Sequence, residues 1–251
     1  MAKVFSFFNS KGGVFKTGFT VEIGAALKDR GYKVLVIDMD QQSSLSNHVE
    51  ADLSKNTIWN VLHTECDIHD AIQKTNFFDI ICGSDKLAKI DRQFVDNDDR
   101  YILVDELENI REDYDVVLID NGPSRTILVE MTICACDYII IPTMPDEGSL
   151  DQVDTTIQEV EALVNNRNHD SHAKIIGYAL TMFEGNTLYC QDALERLNQK
   201  GEPVVTLSKT TALGDAKGLH TTAPKLKGNS SKVTKEINTI ADMLEEVLNI
   251  G

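Results

Sequence analysis

Short apolar runs alternate with longer amphipathic stretches along the chain. Each run has four to six residues and is followed by polar residues or glycine; the runs are Val4–Phe8, Val34–Ile37, Phe77–Ile81, Val116–Ile119, Tyr138–Ile141 and Ile175–Leu180. This is the length of a β-strand. Most runs lack strict alternation between apolar and polar residues, which is typical of strands that are buried on both faces. The runs therefore predict a parallel sheet.

The stretches between these runs have apolar residues at helical spacing. Val21–Leu27 presents an apolar face after the first run, Asp151–Val164 repeats the spacing, and Val233–Ile250 carries one continuous apolar stripe. Strands that alternate with helices form βαβ units. We therefore predict an α/β fold with a doubly wound, mostly parallel sheet flanked by helices. Asn56–Asp113 is the least regular segment and is expected to form helices at one edge.

The chain of 251 residues contains neither a Pro- or Ser-rich linker nor an internal repeat. Its length suits one α/β domain. We predict a single domain over residues 1–251, without an N-terminal helix-turn-helix domain, because the first strand begins at Val4. No apolar run reaches the roughly 20 residues that a membrane span needs. The five cysteines are scattered and odd in number, as in reduced proteins, so the expected location is the cytoplasm.

The formal net charge of −16 argues against a protein that coats DNA through its bulk charge. The charge is uneven, however, because residues 196–235 contain eight basic and two acidic residues, a local net charge of +6. Such a basic face can contact a phosphate backbone. A solvated surface is an equally acceptable interpretation of the same residues.

A loop with two adjacent glycines follows the first predicted strand. Residues 9–18 read Asn-Ser-Lys-Gly-Gly-Val-Phe-Lys-Thr-Gly and lead into the first predicted helix. Open α/β sheets bind phosphates at such strand-to-helix loops, since glycines let backbone N–H groups turn towards phosphate oxygens. Lys16 would then reach the β- and γ-phosphates, and the Thr17 hydroxyl would bind Mg²⁺. The common pattern G-x-x-x-x-G-K-[ST] is not met, because Ser10 and Phe15 stand where it has glycine.

A variant pattern, K-G-G-x-x-K-[ST], fits Lys11–Thr17 and resembles the deviant Walker A motif of the ParA/MinD family of ATPases. Three further segments resemble the family in the same order. Asp38–Gln42 looks like its D-x-D-P-Q segment with Gln41 in place of proline, Tyr114–Ser124 looks like the strand that ends in the Walker B aspartate, and Met182–Thr187 looks like a later loop, M-[YF]-D-x-R-T. The chain most resembles the short ParA/Soj-type partition ATPases.

The resemblance implies a P-loop fold of the deviant Walker A type that binds ATP and Mg²⁺ between two subunits. Thr17 would ligate Mg²⁺, and Asp38 and Asp120 would hold its water ligands. Lys11 would reach the partner's ATP and add positive charge where the transition state accumulates negative charge, and Asp40 would orient or activate the attacking water. The implied nucleotide-binding residues are Lys11, Gly12, Gly13, Val14, Phe15, Lys16, Thr17 and Gly18.

The resemblance also implies a cycle that partitions plasmids or chromosomes. ATP binding drives homodimerisation, and the dimer binds nucleoid DNA without sequence preference. A ParB-like partner, bound to centromere-like DNA, stimulates slow hydrolysis of ATP to ADP and phosphate, which releases the dimer. Asn186 and Ala212 stand where the family has DNA-contacting arginines. A substitute set of lysines is therefore predicted to bind DNA: Lys209, Lys217, Lys225, Lys227 and Lys232.

Two residues of the loop depart from the family pattern. Phe15 replaces a glycine directly before Lys16, and Gly18 replaces a second Thr or Ser. If φ at Phe15 is positive, the side chain costs roughly 1–2 kcal/mol of backbone strain. Two interpretations stay open: nucleotide affinity is reduced or altered, or Phe15 is a lineage variant packed against the partner or on the adenine side.

The main alternative function is therefore a ParA-like adaptor or regulator with weakened or lost nucleotide binding. A MinD-like ATPase that acts at a membrane fits less well, because the C-terminal segment Val233–Ile250 has an acidic face that is wrong for anionic lipid. A metal cluster like that of the related nitrogenase iron protein is not expected either. Cys134 and Cys136 lie in an apolar stretch and are predicted to be buried as small hydrophobic residues.

Overall fold

A computed structural model gives the three-dimensional structure of the chain. It describes residues 1–123, 126–165 and 172–250, apart from the side chain of Ile250. Ser124, the last residue of the segment likened to the Walker B strand, and Gly251, the last residue of the predicted domain, lie outside the described residues.

One eight-stranded sheet forms the centre of the fold. Its order is β3-β4-β2-β5-β1-β6-β7-β8, and all neighbouring strands are parallel except β3 and β4. The central strands β2 and β5 are buried at every residue, as their uninterrupted apolar sequences require. The strands are β1 (Lys3–Phe7), β2 (Val34–Asp38), β3 (Ile72–Lys74), β4 (Asp79–Ile81), β5 (Val116–Asp120), β6 (Tyr138–Thr143), β7 (Lys174–Phe183) and β8 (Val204–Ser208).

Helices cover both faces of the sheet. Two 3₁₀ segments, Asp85–Arg92 and Asn97–Tyr101, lie between β4 and α5. The α-helices of the described residues are α1 (Lys16–Asp29), α2 (Ser44–His48), α3 (Ile58–Leu62), α4 (Ile68–Ala71), α5 (Ile102–Glu108), α6 (Ile127–Ala135), α7 (Glu147–Val164), α8 (Leu188–Asn198), α9 (Ala212–Gly218), α10 (Ala223–Lys227) and α11 (Lys232–Ile250).

The core has two parts, one on each side of the sheet. On one side, α1 and α11 pack together through side chains such as Phe19 and Ile240. On the other side, α5 to α8 contribute residues such as Met131 and Val153. Complete burial of one such side chain stabilises the fold by about 1.5–3 kcal/mol. The large buried core therefore fixes the ends of the central strands, where the predicted site lies.

The predicted α/β class and mostly parallel sheet are confirmed. All six predicted strands are present, although β4 begins at Asp79 rather than Phe77 and β7 continues to Phe183. β3 and β8 were not predicted because both lie at edges of the sheet. The residues Ile72–Lys74 are partly exposed, and Val204–Ser208 are mostly half-buried, so neither has a strong apolar pattern. The segment Asn56–Asp113 forms helices at one edge as expected, but it also supplies β3 and β4.

The described residues contain no helix that is both long and apolar enough to span a membrane. All five cysteines are free thiols. Cys134 and Cys136 are both buried, which confirms their prediction as small hydrophobic residues.

Candidate active site

The ends of three adjacent strands bring the predicted site residues together. β1 leads into the loop at residues 8–15, β2 ends at Asp38, and β5 ends at Asp120. β5 lies between β1 and β2, and Asp38 and Asp120 are direct partners in the parallel register. Because the carboxyl ends of parallel strands meet at one edge of a sheet, the loop and both carboxyl groups share one site.

Asn9 and Lys16 hold the loop in shape. The Asn9 side chain donates to the carbonyl oxygen of Pro142 on β6 at 2.8 Å and accepts from the Lys11 amide at 2.8 Å. The Lys16 ammonium group donates to the carbonyl oxygens of Asn9 and Lys11, each at 2.9 Å. Burial lowers the pKa of Lys16, while the negative charges of Asp120 and Asp40 oppose that shift. The buried ammonium group thus lies among carboxylates and inside the loop.

Phe15 has φ of 72° and ψ of 23°, in the left-handed region that favours glycine. The backbone strain of roughly 1–2 kcal/mol that a positive φ implies therefore applies to Phe15. Its ring packs edge-on against Phe19, with centroids 5.3 Å apart, and covers Gly18 at the first turn of α1. A Cβ atom at Gly18 would lie only 2.1 Å from Cζ of Phe15. The two departures from the family pattern are therefore sterically matched within one chain.

Asp38 and Asp120 are completely buried but differ in their hydrogen bonds. Asp38 accepts from the Ser46 amide at 3.0 Å, the Ser46 hydroxyl at 2.7 Å and the Asp40 amide at 3.0 Å, and burial raises its pKa to about 6. Neither oxygen of Asp120 accepts a well-aligned hydrogen bond from the described residues. Burial raises the pKa of Asp120 well above its usual value, and repulsion from Asp38 adds to the rise, although the Thr17 hydroxyl and Lys16 oppose it.

These carboxylates fit a hydrated magnesium ion. A buried carboxylate without a partner is unfavourable unless a cation or proton compensates it. In the parts of the chain that the structure describes, no three His, Cys, Asp or Glu side chains converge as a ready-made set of metal ligands. Mg²⁺ keeps several waters and takes few ligands from protein. The residues that could hold the ion are those predicted, Thr17, Asp38 and Asp120.

Lys11 contacts its own chain in this structure. Its ammonium group donates to Oδ1 of Asp146 at 2.8 Å and to Oγ of Ser149 at 2.6 Å. Asp146 is also the N-cap of α7, where its side chain accepts from the Ser149 amide. Burial opposes ionisation of Asp146, but the hydrogen bonds from Lys11 and Ser149 outweigh it and lower the pKa. Asp146 was not singled out in the sequence, although an Asp just before a helical stretch is a typical N-cap signal.

A cavity of about 300 Å³ opens beside the loop. This is at the lower limit of volumes typical of small-molecule sites. Its lining includes most of the predicted loop, namely Gly12, Gly13, Phe15, Lys16, Thr17 and Gly18, together with Asp40, Asn121 and Pro123. The predicted residue Val14 is completely buried and does not line the cavity. The remaining lining residues were not predicted to bind nucleotide: Glu22, His48, Leu213, Gly214 and Lys217.

Glu22 and His48 are buried side chains on the cavity wall that the sequence predictions missed. Glu22 is only 2% exposed, and both of its carboxylate oxygens accept from the Ala223 amide, at 3.0 and 3.1 Å. Burial raises the pKa of Glu22 to about 7, against the effects of the Ala223 hydrogen bond and of Lys225. Burial also lowers the pKa of His48. The available signal for Glu22 was a charged residue inside the apolar face Val21–Leu27.

The lysines predicted to bind DNA lie along the segment from β8 to the start of α11. All five are exposed: Lys209, Lys217, Lys225, Lys227 and Lys232. Lys209 lies 3.4 Å from Glu184 and Lys232 lies 3.7 Å from Glu236, so these two lysines form ion pairs on the surface. Ala212 is buried and contributes no exposed group to this surface. Lys217 also reaches the cavity wall, so the basic segment and the cavity adjoin each other.

Comparison with known proteins agrees with this arrangement. A protein-family profile described as an AAA domain matches residues 2–172. The chain is 32% identical over 192 residues to the chromosome partitioning protein ParA of Caulobacter vibrioides, covering 72% of this chain and 70% of ParA. It is 29% identical over 193 residues to the sporulation initiation inhibitor protein Soj of Bacillus subtilis, covering 74% and 75% of the two chains.

The fold is also found in solved structures. A variant of McdA from Cyanothece in complex with ATP superimposes with a TM-score of 0.87 over 97% of this chain and 96% of McdA, at 18% identity. This likeness concerns the fold, whereas the sequence matches concern the family. The strand-end loop, the aligned carboxylates and these matches together show that the chain belongs to the ParA/MinD-type P-loop partition ATPases.

Proposed function

We propose that the chain is a Mg²⁺-dependent ATPase of DNA partition. In this proposal a single domain over residues 1–251 binds ATP, forms a homodimer around it and binds DNA without sequence preference. A ParB-like partner stimulates slow hydrolysis, which resets the cycle. The protein would act in the cytoplasm, on the nucleoid and without a membrane. The relatives named ParA and Soj support the class of process, and the site supports the chemistry.

One observation carries the proposal: the buried ammonium group of Lys16 and the buried carboxylate of Asp120 lie together at the end of the sheet. Lys16 and Asp120 are 6% and 0% exposed, and their charges interact. A buried pair of this kind is costly to a protein that does not use it. Binding of a triphosphate with its cation would satisfy both groups. The arrangement therefore favours a nucleotide site over a merely structural one.

Each residue would act through a simple electrostatic or hydrogen-bonding role. Magnesium, when bound, would neutralise phosphate charge, and Thr17 with the water-binding carboxylates Asp38 and Asp120 would hold it there. Lys16 would exchange its two carbonyl contacts for phosphate oxygens. Asp40, 8% exposed and beside the cavity, would orient the attacking water. Lys11 would leave Asp146 and reach the nucleotide of the partner subunit.

Calorimetry with Mg-ATP provides the first test, on the wild type and on Phe15→Gly. Binding by the wild type, together with ATP turnover that Lys16→Ala abolishes, is the expected result. Because Lys16 is buried, circular dichroism and a melting curve must show that Lys16→Ala folds. Nucleotide binding without turnover, even with DNA and a ParB-like partner present, would contradict the enzymatic part.

A second candidate is an adaptor or regulator that binds nucleotide weakly or not at all. The specific observation in its favour is Phe15, whose ring lines the cavity from a strained backbone position. In this case the wild type would fail to bind Mg-ATP, and Phe15→Gly would restore binding. Failure of both proteins to bind would contradict the ATPase proposal and the role of Phe15 as the residue that prevents binding.

A further inference from the structure

The start of α10 is held by two side chains from distant parts of the chain. Both carboxylate oxygens of Glu22 on α1 accept from the amide of Ala223, the first residue of α10. Nε2 of His48, the last residue of α2, donates to the carbonyl oxygen of Thr221 at 2.9 Å. His220 adds a third bond, from its Nδ1 to the carbonyl oxygen of His48 at 3.0 Å. The entry to α10 is therefore tied to α1 and to α2.

Both anchoring side chains also line the candidate nucleotide cavity. Glu22 lies one helical turn after Gly18 on α1, so the two face the same side of that helix. His48 ends the short helix whose residue Ser46 hydrogen-bonds Asp38. The cavity thus adjoins α10 through two side chains, Glu22 of α1 and His48 of α2.

α10 carries two of the exposed lysines of the basic segment, Lys225 and Lys227. Ala223 is completely buried, whereas Lys225 extends outward over the ring of Phe77, 5.6 Å from its centroid. The helix has only five residues, so its local hydrogen bonds alone hold it weakly. Its position therefore depends strongly on the bond from Ala223 to Glu22.

We propose that Glu22 is a positioning residue that couples occupation of the nucleotide cavity to the position of α10 and its lysines. This rests on the proposed function, because it assumes a nucleotide in that cavity. A ligand that contacts the cavity wall shifts α10 only if it binds more tightly when α10 is in one position. Glu22 supplies such a difference, since one carboxylate both faces the cavity and holds Ala223.

The test compares Glu22→Ala with Glu22→Gln in hydrogen–deuterium exchange, with and without Mg²⁺ and a non-hydrolysable ATP analogue. Glu22→Gln keeps an acceptor for the Ala223 amide, and Glu22→Ala removes it. Glu195→Gln, on the exposed face of α8, controls for the loss of one negative charge. Nucleotide binding is measured by calorimetry on each protein. The affinity for duplex DNA is measured in parallel.

In the wild type, Glu22→Gln and Glu195→Gln, we expect the analogue to change exchange in peptides that cover residues 221–228. We also expect it to raise DNA affinity by about tenfold, within the range common for coupled sites. In Glu22→Ala the analogue still binds, but the change in exchange is lost and DNA affinity changes by less than about twofold. Rescue by Gln separates this role from a general loss of stability.

The outcomes separate the two proposals. A Glu22→Ala variant that responds like the wild type, or a wild type that binds the analogue without any change in residues 221–228, overturns the coupling alone. If Glu22→Ala does not fold, a Glu22→Gln variant that lacks the change in exchange overturns it, and one that keeps the change supports it. A wild type that does not bind the analogue overturns the proposed function and the coupling with it. A change in exchange without DNA binding upholds the coupling and contradicts only the proposed DNA contact.

Discussion

The ring of Phe15 occupies the space in which a side chain at position 18 would lie. A Cβ atom at Gly18 would be 2.1 to 2.5 Å from three carbon atoms of that ring, well inside van der Waals contact. The ring also packs edge-on against Phe19. In sequence, Phe15 and Gly18 are two separate departures from the family motif. In the structure they form one packing unit at the start of α1.

This relationship predicts non-additive stability effects in a double-mutant cycle. Gly18→Ala alone should destabilise the protein by roughly 1–3 kcal/mol, because the ring must be displaced. In a Phe15→Gly background the same change should be neutral, or stabilising by up to about 1 kcal/mol, because Ala favours a helix over Gly. Denaturant unfolding of the four proteins gives the coupling energy. Equal effects of Gly18→Ala in both backgrounds would contradict the matched packing.

The contact between Lys11 and Asp146 predicts that the Asp146→Asn variant dimerises more readily with nucleotide. Asn is as good an N-cap as Asp, and an exposed ion pair is worth at most about 1 kcal/mol, so α7 should remain folded. The change removes the negative charge that holds Lys11 in its own chain. We expect a larger dimer fraction with the ATP analogue, measured by sedimentation velocity.

Asp151→Asn is the matched control for this prediction. Asp151 also lies in α7 and its carboxylate is 3.5 Å from Arg196, so this variant loses a comparable exposed ion pair that does not include Lys11. An equal dimer fraction in the two variants would show that the Lys11 contact does not restrain dimerisation.

We expect the Asp120→Asn variant to be more stable than the wild type but to bind nucleotide less tightly. The pKa of the buried Asp120 carboxyl is raised, and the carboxylate accepts no well-aligned hydrogen bond from the described residues. A neutral amide at this position therefore removes an unfavourable charge. We expect the free energy of unfolding to rise by roughly 1–3 kcal/mol, and Mg²⁺-dependent nucleotide affinity to fall. Chemical denaturation and calorimetry measure the two effects. Asp192→Asn, on the exposed face of α8, should change neither quantity. A destabilised Asp120→Asn variant would show that the Asp120 carboxylate is well satisfied.

The raised pKa of Glu22 predicts a specific pH dependence of the free energy of unfolding. Its pKa is raised from 4.5 to about 7 in the folded protein. Between these values the folded chain retains a proton that the unfolded chain releases, so the stabilisation is complete below pH 4.5 and is lost as pH rises through 7. The full difference is about 3 kcal/mol.

Glu22→Gln should remove this dependence while keeping an acceptor for Ala223. Relative to the wild type, the variant should gain about 2–3 kcal/mol of stability between pH 5 and pH 8. Denaturant unfolding across that range measures the gain, and other titrating groups cancel in the difference. A constant difference between Glu22→Gln and the wild type across the range would contradict the raised pKa of Glu22.

The basic segment predicts a salt-dependent contact with DNA. The double variant Lys225→Glu/Lys227→Glu should bind DNA more weakly, and the slope of log affinity against log salt should fall by about 1–2, because each phosphate contact contributes about 0.9. Fluorescence anisotropy at several salt concentrations provides the measurement. Lys55→Glu/Lys89→Glu changes the net charge equally at exposed positions outside the segment. An equal loss in both double variants would indicate a bulk charge effect rather than a contact.

The α/β class and most of the sheet follow from the amino-acid sequence alone. Uninterrupted apolar runs such as Val116–Ile119 can be satisfied only by strands with helices on both faces, and the observed strand β5 is buried throughout. The spacing of Lys11, Lys16 and Thr17 fixed the family and the position of the loop after β1. These features involve residues that are close together in the chain, so they can be recognised in a single sequence. The edge strands β3 and β8 were not predicted, because partly exposed strands lack a strong apolar pattern.

How residues distant in sequence meet depends on the folded arrangement of the whole chain. The register that pairs Asp38 with Asp120 depends on β5 lying beside β2, which no local pattern specifies. The bond from Ala223 to Glu22 joins residues 201 positions apart in the chain. Phe15 and Gly18 are close in sequence, yet their match depends on the left-handed backbone at Phe15, which turns its ring back over α1. Burial against the whole fold, rather than residue type, sets the charge state and partners of these groups.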